Sequence, residues 1–261
     1  MTKNGFKDAL ATGRTQFGLW QALGSPITVE LCAAAGFDWL LLDAEHGPHS
    51  IPTLLAQLQA MNGSRSQAVV RLPATDATSI KQVLDVGAMT ILAPFVESAE
   101  QAQAIVAATR YAPEGNRGLA AGQIRASRWG RDRTYIDEAN TRICVLLQVE
   151  NQPGLDSIDG IAALDGVDGI FIGPADLAAS LGFRGRPDHP VVVAAITKAI
   201  EQVKRAGKAV GLLTLNEELA RKYIEDGCTF VAVGTDVTLL TTAADALAAR
   251  FCGTTVGSFG Y

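Results

Sequence analysis

The stretch ICVLLQVE, residues 143–150, holds six apolar residues in eight and carries no charge until Glu150 closes it. An amphipathic strand alternates apolar and polar side chains, whereas a strand covered on both faces reads as one apolar run, the pattern of parallel sheets. Seven more runs of this kind lie at 16–23, 37–43, 67–72, 88–94, 167–173, 209–214 and 230–234. Parallel neighbours need crossovers, and segments of helical spacing sit between the runs at 27–35, 51–61, 77–86, 99–109, 154–164, 191–206, 217–226 and 237–250. Ser50 and Asn216 open two of them as caps, and Gly36, Gly87, Gly207 and Gly227 close others. Eight βα units predict an α/β protein with a single-domain (β/α)₈ TIM barrel over residues 1–250 and a tail at 251–261. A doubly wound sheet fits less well: it has fewer strands, and the Gly-x-Gly-x-x-Gly turn is missing. The longest connection, 110–142, holds seven arginines and is expected to serve the site or a contact between subunits.

Composition agrees with a large buried core: of 261 residues, 48% are hydrophobic and 19% charged. A net charge of −5 argues against nucleic acid as a partner, because a phosphate-backbone binder needs a basic face. No run is long enough to cross a bilayer and no signal-peptide pattern opens the chain, so no membrane association is expected. Cys32, Cys144, Cys228 and Cys252 form no CxxC pair and read as free thiols of a cytoplasmic protein.

In a barrel the chemistry collects where strands end. Few polar residues fall there: Asp43, Glu45, His46 and His49 after the second run, Arg71 after the third, Gln148 and Glu150 after the fifth, Gly173-Pro174-Ala175-Asp176 after the sixth and Thr214 after the seventh. Glu150 and Asp176 end adjacent strands, and two carboxylates with open positions suit a divalent metal; the plainer alternatives are a loop cap and a helix cap. His46 is the histidine set among acids, placed for general-base work with Asp43 three residues earlier to orient it, or for a structural bond to Asp43 or Glu45. His49 reads as a capping or surface residue. Arg71 is suited to an anionic oxygen of a substrate, or to a buried salt bridge with Glu45 or Glu150. The backbone N–H groups of Ala175 and Asp176 can receive a carboxylate, or merely close a tight turn. Of the seven lysines, Lys3 and Lys7 lie in the N-terminal segment, Lys81, Lys198, Lys204 and Lys222 in helical segments and Lys208 at the opposite end of the seventh run, which argues against a Schiff-base amine.

GFDWLLLDAEHGP (36–48), the VVR strand end (69–71), RYAPEGNRG (110–118), RASRWGR (125–131), the Gln148-x-Glu150 strand end, VDGIFIGPADLAASLG (167–182) and FVAVGTDVTLL (230–240) occur in order along the chain. Together they resemble the HpcH/HpaI family of class II pyruvate aldolases, and the likeness runs from about residue 6 to residue 250. The resemblance implies a barrel that assembles as a homo-hexamer of paired subunits with the last helix exchanged between neighbours. It also implies metal-dependent aldol chemistry on small molecules: a pyruvate or hydroxypyruvate donor, an aldehyde acceptor and 4-hydroxy-2-oxo acids as products. Carried over by residue, Glu150 and Asp176 become ligands of Mg²⁺, Mn²⁺ or Co²⁺, with Zn²⁺ also admissible. His46 and Asp43 become the base dyad, Arg71 the enolate stabiliser and Gln148 a pocket hydrogen-bonder. Gly173 and Ala175 would shape the donor carboxylate site, Trp20 and Leu213 the pocket wall, and Leu119, Arg125 and Arg128 would lie in loops near the site of this chain or of an adjacent subunit. Rival readings are a 2-keto-3-deoxy sugar-acid aldolase, a CoA-thioester lyase of the same superfamily and a non-catalytic sugar-acid-binding barrel.

Overall fold

Along each strand one set of alternate side chains faces the barrel axis and the other faces the helices, and this parity selects the residues that reach the mouth. In the computed structural model, which describes residues 3–253, eight parallel strands close into one barrel in sequence order. They are β1 (Gln16–Gln21), β2 (Trp39–Asp43), β3 (Gln67–Arg71), β4 (Thr90–Ala93), β5 (Cys144–Val149), β6 (Gly169–Ile172), β7 (Ala209–Leu213) and β8 (Phe230–Thr235). All eight coincide with the apolar runs, seven of them trimmed by a residue or two at their ends and β8 running one residue further, to Thr235. Around them lie α2 (Pro26–Ala33), α3 (Ile51–Ala60), α4 (Ala77–Asp85), α5 (Ala99–Thr109), α7 (Gln152–Asp156), α8 (Ile158–Ala162), α9 (Pro174–Ser180), α10 (Pro190–Arg205), α11 (Glu217–Asp226) and α12 (Asp236–Cys252), with α1 (Gly5–Ala11) and α6 (Tyr135–Arg142) besides.

Leu40, Leu42, Val70, Ile91, Val145, Leu147, Ile170, Ile172 and Val210 pack outward against the helices. Trp20, Trp39, Leu41, Val69, Leu92, Cys144, Leu146, Phe171, Phe230 and Ala232 fill the interior. Aromatic rings occupy the lower barrel where glycine leaves room: a Cβ on Gly18 would stand 2.2 Å from the Trp39 ring, and one on Gly211 would stand 2.4 Å from the Phe230 ring. Carried one step further along each strand, the inward parity falls on Asp43, Arg71, Gln148, Glu150, Gly173 and Leu213, so a single geometric rule delivers these residues to the carboxyl-terminal mouth.

The structure adds α1 to the expected helices and alters three expectations. The first residues form a helix, α1, whose Phe6 plugs the floor of the barrel against Trp39 and Phe230 at 5.8 Å each, a burial worth about 2 kcal/mol. Its N-cap Asn4 donates to the carbonyls of Met89 and Arg142, tying the plug to the strand starts. The 154–164 segment is two short helices parted at Ser157. The last helix runs on to Cys252 rather than stopping at residue 250; the expected tail beyond it, 254–261, lies outside the described residues. Finally, the 110–142 connection joins α5 to β5 and therefore lies at the floor, where Arg125 donates to Val86 O and Ala126 N–H to Asp85 O. Leu119, Arg125 and Arg128 are thus remote from this chain's own mouth. The motifs were sound, but a helix-to-strand connection cannot return to the end where strands finish.

Among the described residues no helix is long and apolar enough to cross a membrane.

Candidate functional site

Asp43 and Arg71 are register partners on β2 and β3, both inward and both buried. The guanidinium grips the carboxylate with two bonds, Nε to Oδ1 at 2.8 Å and Nη2 to Oδ2 at 2.6 Å, the bidentate geometry that suits arginine. Trp20 Nε1 donates to Asp43 Oδ2 at 3.0 Å, and the Arg71 guanidinium lies 4.8 Å from the centre of the Trp20 ring. The third nitrogen, Nη1, pairs with Glu45 Oε2 at 2.8 Å. Burial pushes the Asp43 carboxyl upward, but the Arg71 hydrogen bond and charge, with help from Trp20 and the His46 N–H, outweigh it and hold the group below the usual carboxylate range.

Asp43 therefore does not orient the His46 imidazole, and the expected dyad is corrected. Its oxygens are engaged by Arg71, Trp20 and the backbone N–H groups of Glu45 (3.1 Å) and His46 (3.3 Å). Asp43 shapes the His46 loop through the backbone and leaves the exposed ring outside its reach. His49, expected at the surface, is half-buried and bonded through Nε2 to Gln57 Oε1 at 3.1 Å.

On the other side of the mouth Glu150 is 1% exposed. The Phe95 N–H donates to its Oε1 at 2.9 Å, and Gln148 Nε2 donates to its Oε2 at 2.5 Å. Burial, opposed by the Phe95 N–H but reinforced by the charges of Asp176 and Glu45, pushes the Glu150 carboxyl up to about 7. Burial also raises Glu45, against the pull of Arg71 and His46. Glu45, Glu150 and Asp176 thus bear on one another electrostatically at the mouth, Glu45 joining the Glu150 and Asp176 pair expected from the sequence. The signal for Glu45 was present in the Asp-Ala-Glu-His string but had been absorbed into Arg71's alternatives.

Gly173, N-cap of α9, explains how Glu150 fits: a Cβ there would stand 2.6 Å from Glu150 Oε2 and 3.1 Å from Gln148 Nε2. Ala175 is exposed and Asp176 half-buried in the first turn of α9. Leu213 is half-buried against the inner cluster that holds Trp20. Among the described residues no three His, Cys, Asp or Glu side chains form a ready-made ligand set. What fits a cation is the Glu150 and Asp176 pair, mutually repelling without one, beside a buried Gln148 Oε1 that lacks a hydrogen-bond partner and a cradle kept open by Gly173. This is the chemistry of an oxygen-liganded divalent ion with positions left for water or substrate.

A family model for HpcH/HpaI aldolase/citrate lyase matches residues 16–243, and the chain belongs to this family. It is 55% identical over 248 residues to a 4-hydroxy-2-oxo-heptane-1,7-dioate aldolase of Klebsiella pneumoniae, covering 95% of this chain and 94% of that one. A protein of the same name from Salmonella arizonae is 54% identical over 249 residues, 95% of each chain. A crystal structure of an HpcH/HpaI aldolase/citrate lyase family protein from Burkholderia cenocepacia superposes with a TM-score of 0.91 at 38% identity, over 96% of this chain and 100% of that one.

Proposed function

We propose that this chain is a divalent-metal-dependent aldolase that cleaves 4-hydroxy-2-oxoheptane-1,7-dioate to pyruvate and succinic semialdehyde, and runs the reverse addition with pyruvate or hydroxypyruvate as donor. The observation that carries the reading is the gathering of the buried Glu150, the Gln148 and Gly173 cradle and the Arg71 guanidinium at one mouth. Identity above 50% to two aldolases of that name supports the substrate.

Glu150 and Asp176 would hold the cation, Mg²⁺, Mn²⁺ or Co²⁺ with Zn²⁺ admissible, which when bound supplies Lewis-acid polarisation of the 2-oxo acid. Arg71 is already fixed by Asp43 and Glu45, so the Nη1 hydrogen not directed at Glu45 would meet a developing enolate oxygen with little reorganisation. Asp43 is in this reading a positioning residue. His46, exposed at the mouth, carries the proton to and from C3 of the donor. The small Gly173 and Ala175 let the donor carboxylate approach the start of α9, Gln148 hydrogen-bonds within the pocket, and Trp20 with Leu213 walls it. In cleavage the C4 hydroxyl loses its proton, the C3–C4 bond breaks, its electrons form the enolate, and a proton returns at C3. Among the described residues a Schiff base finds no amine here: Lys3 is exposed ahead of α1, Lys7 is held by Asp168 and Ile143 O at the floor, Lys208 donates to Val167 O, and Lys81, Lys198, Lys204 and Lys222 ride on outer helices. Incubating the protein with the dioate and Mn²⁺ is expected to release pyruvate and succinic semialdehyde in equal amounts; inactivation by borohydride in the presence of pyruvate would contradict the reading.

The assembly we propose is a hexamer of paired subunits in which α12 is exchanged. Of its 17 residues only Asp236 is buried, while Leu239, Leu240, Leu247 and Phe251 are exposed. The outward-facing Phe17 of β1 and Val233 of β8 are 43% and 37% exposed, a bare strip of barrel that a neighbour's apolar helix would cover. Leu240→Asp combined with Leu247→Asp is expected to lower the light-scattering mass from the hexamer; a wild-type mass of one 27.4 kDa chain would refute the assembly. A cytoplasmic setting is part of the same proposal and is supported by four cysteines that are all free.

A further inference from the structure

Among the described residues three non-glycines adopt positive φ: Arg128 and Trp129 in the floor connection, and Phe95, at φ 52°, just past the end of β4 at the mouth. A left-handed backbone crowds any Cβ against the following carbonyl, and for a bulky side chain it is an outlier that glycine or asparagine would relieve. The strain at Phe95 is held in place from several sides. Its N–H is bonded to Glu150, its carbonyl accepts from Gln101 Nε2 at 3.1 Å, and Gln101 Oε1 in turn accepts the Glu97 N–H at 2.9 Å. Val96, fully buried, donates from its backbone to Gln148 O at 2.9 Å.

The loop is held through the backbone of residue 95, whereas its ring is 45% exposed between the buried Pro94 and Val96. A large apolar side chain on a left-handed backbone and nearly half exposed costs the free chain; such cost accumulates where a side chain is presented to a ligand. We infer that Phe95 is a specificity residue of the aldolase site, its ring forming an apolar wall against the hydrocarbon part of the aldehyde, with Gln101 as the positioning residue that holds it there. The inference rests on the aldolase reading and adds the class of acceptor it favours: aldehydes with a methylene chain over short hydroxylated ones.

Phe95→Gly isolates the ring, because glycine accepts φ 52° and keeps the N–H that serves Glu150. With pyruvate as donor, the kcat/KM ratio for pentanal over glycolaldehyde is expected to fall about tenfold in this variant, mainly through KM for pentanal, the scale at which apolar pockets discriminate. Phe95→Leu should restore much of the ratio, and the Tm of Phe95→Gly should equal or exceed that of the wild type. A ratio unchanged in Phe95→Gly, or equal losses for both aldehydes, overturns the assignment. A wild-type protein that adds pyruvate to neither aldehyde refutes instead the aldolase reading beneath it.

Discussion

Glu150→Gln is expected to lower turnover by about 10³-fold or more, the scale of losing a Lewis acid that supplies several kcal/mol at the transition state. The substitution keeps the shape of the side chain and an acceptor for the Phe95 N–H, but removes the charge that would bind a cation. Mn²⁺ affinity, measured by titration without substrate, should fall in parallel. Fold stability should behave in the opposite sense. A carboxyl raised to about 7 by burial and by Asp176 and Glu45 binds its proton more tightly in the folded chain than in the unfolded one. Its contribution is therefore complete below the ordinary glutamate range and is lost as pH rises toward 7. Metal-free Glu150→Gln should lack that part of the decline and be at least as stable as wild type at pH 8. A variant with full turnover, or with unchanged Mn²⁺ affinity, would remove Glu150 from the metal site.

His46→Ala is expected to cost about 10²- to 10⁴-fold in kcat, the range for losing a general base. Because the ring is exposed, and because Asp43 reaches this residue only through its backbone, Tm should stay close to wild type and KM for the 2-oxo acid should change little. Arg71→Ala makes the contrasting case. It strands the buried Asp43 carboxylate, so lost activity there is accompanied by lost stability of roughly 3–5 kcal/mol. Unchanged turnover in His46→Ala would exclude the imidazole from proton transfer.

The barrel was legible because strands covered on both faces are apolar throughout, and eight such runs spaced by helical segments admit few other arrangements. For the same reason the inward parity was invisible: Leu41 and Leu42 look alike in sequence, although one faces the axis and the other the helices. The candidate site was found through the few polar residues at strand ends, and the structure brings Trp20, Asp43 and Arg71 into one network and Glu150, Gln148 and Gly173 into another. What sequence could not supply was which oxygen meets which donor. Asp43 stands three residues from His46 but opposite Arg71 in register, and the cross-strand partner took its carboxylate. Phe95 left no signal, since a backbone N–H and a positive φ have no residue-type signature when the residue is not glycine. The floor position of the 110–142 connection was not legible, because a long loop's length says nothing about which end of the barrel it caps.

The proposed chemistry of the mouth is the generation of an enolate from a 2-oxo acid with a divalent cation and without an amine. Exchange of the C3 protons of pyruvate for deuterium, followed by NMR with and without EDTA, tests it most directly. Exchange is expected to stop when the chelator is added and to return with Mn²⁺. Exchange indifferent to EDTA and trapped by borohydride would contradict it.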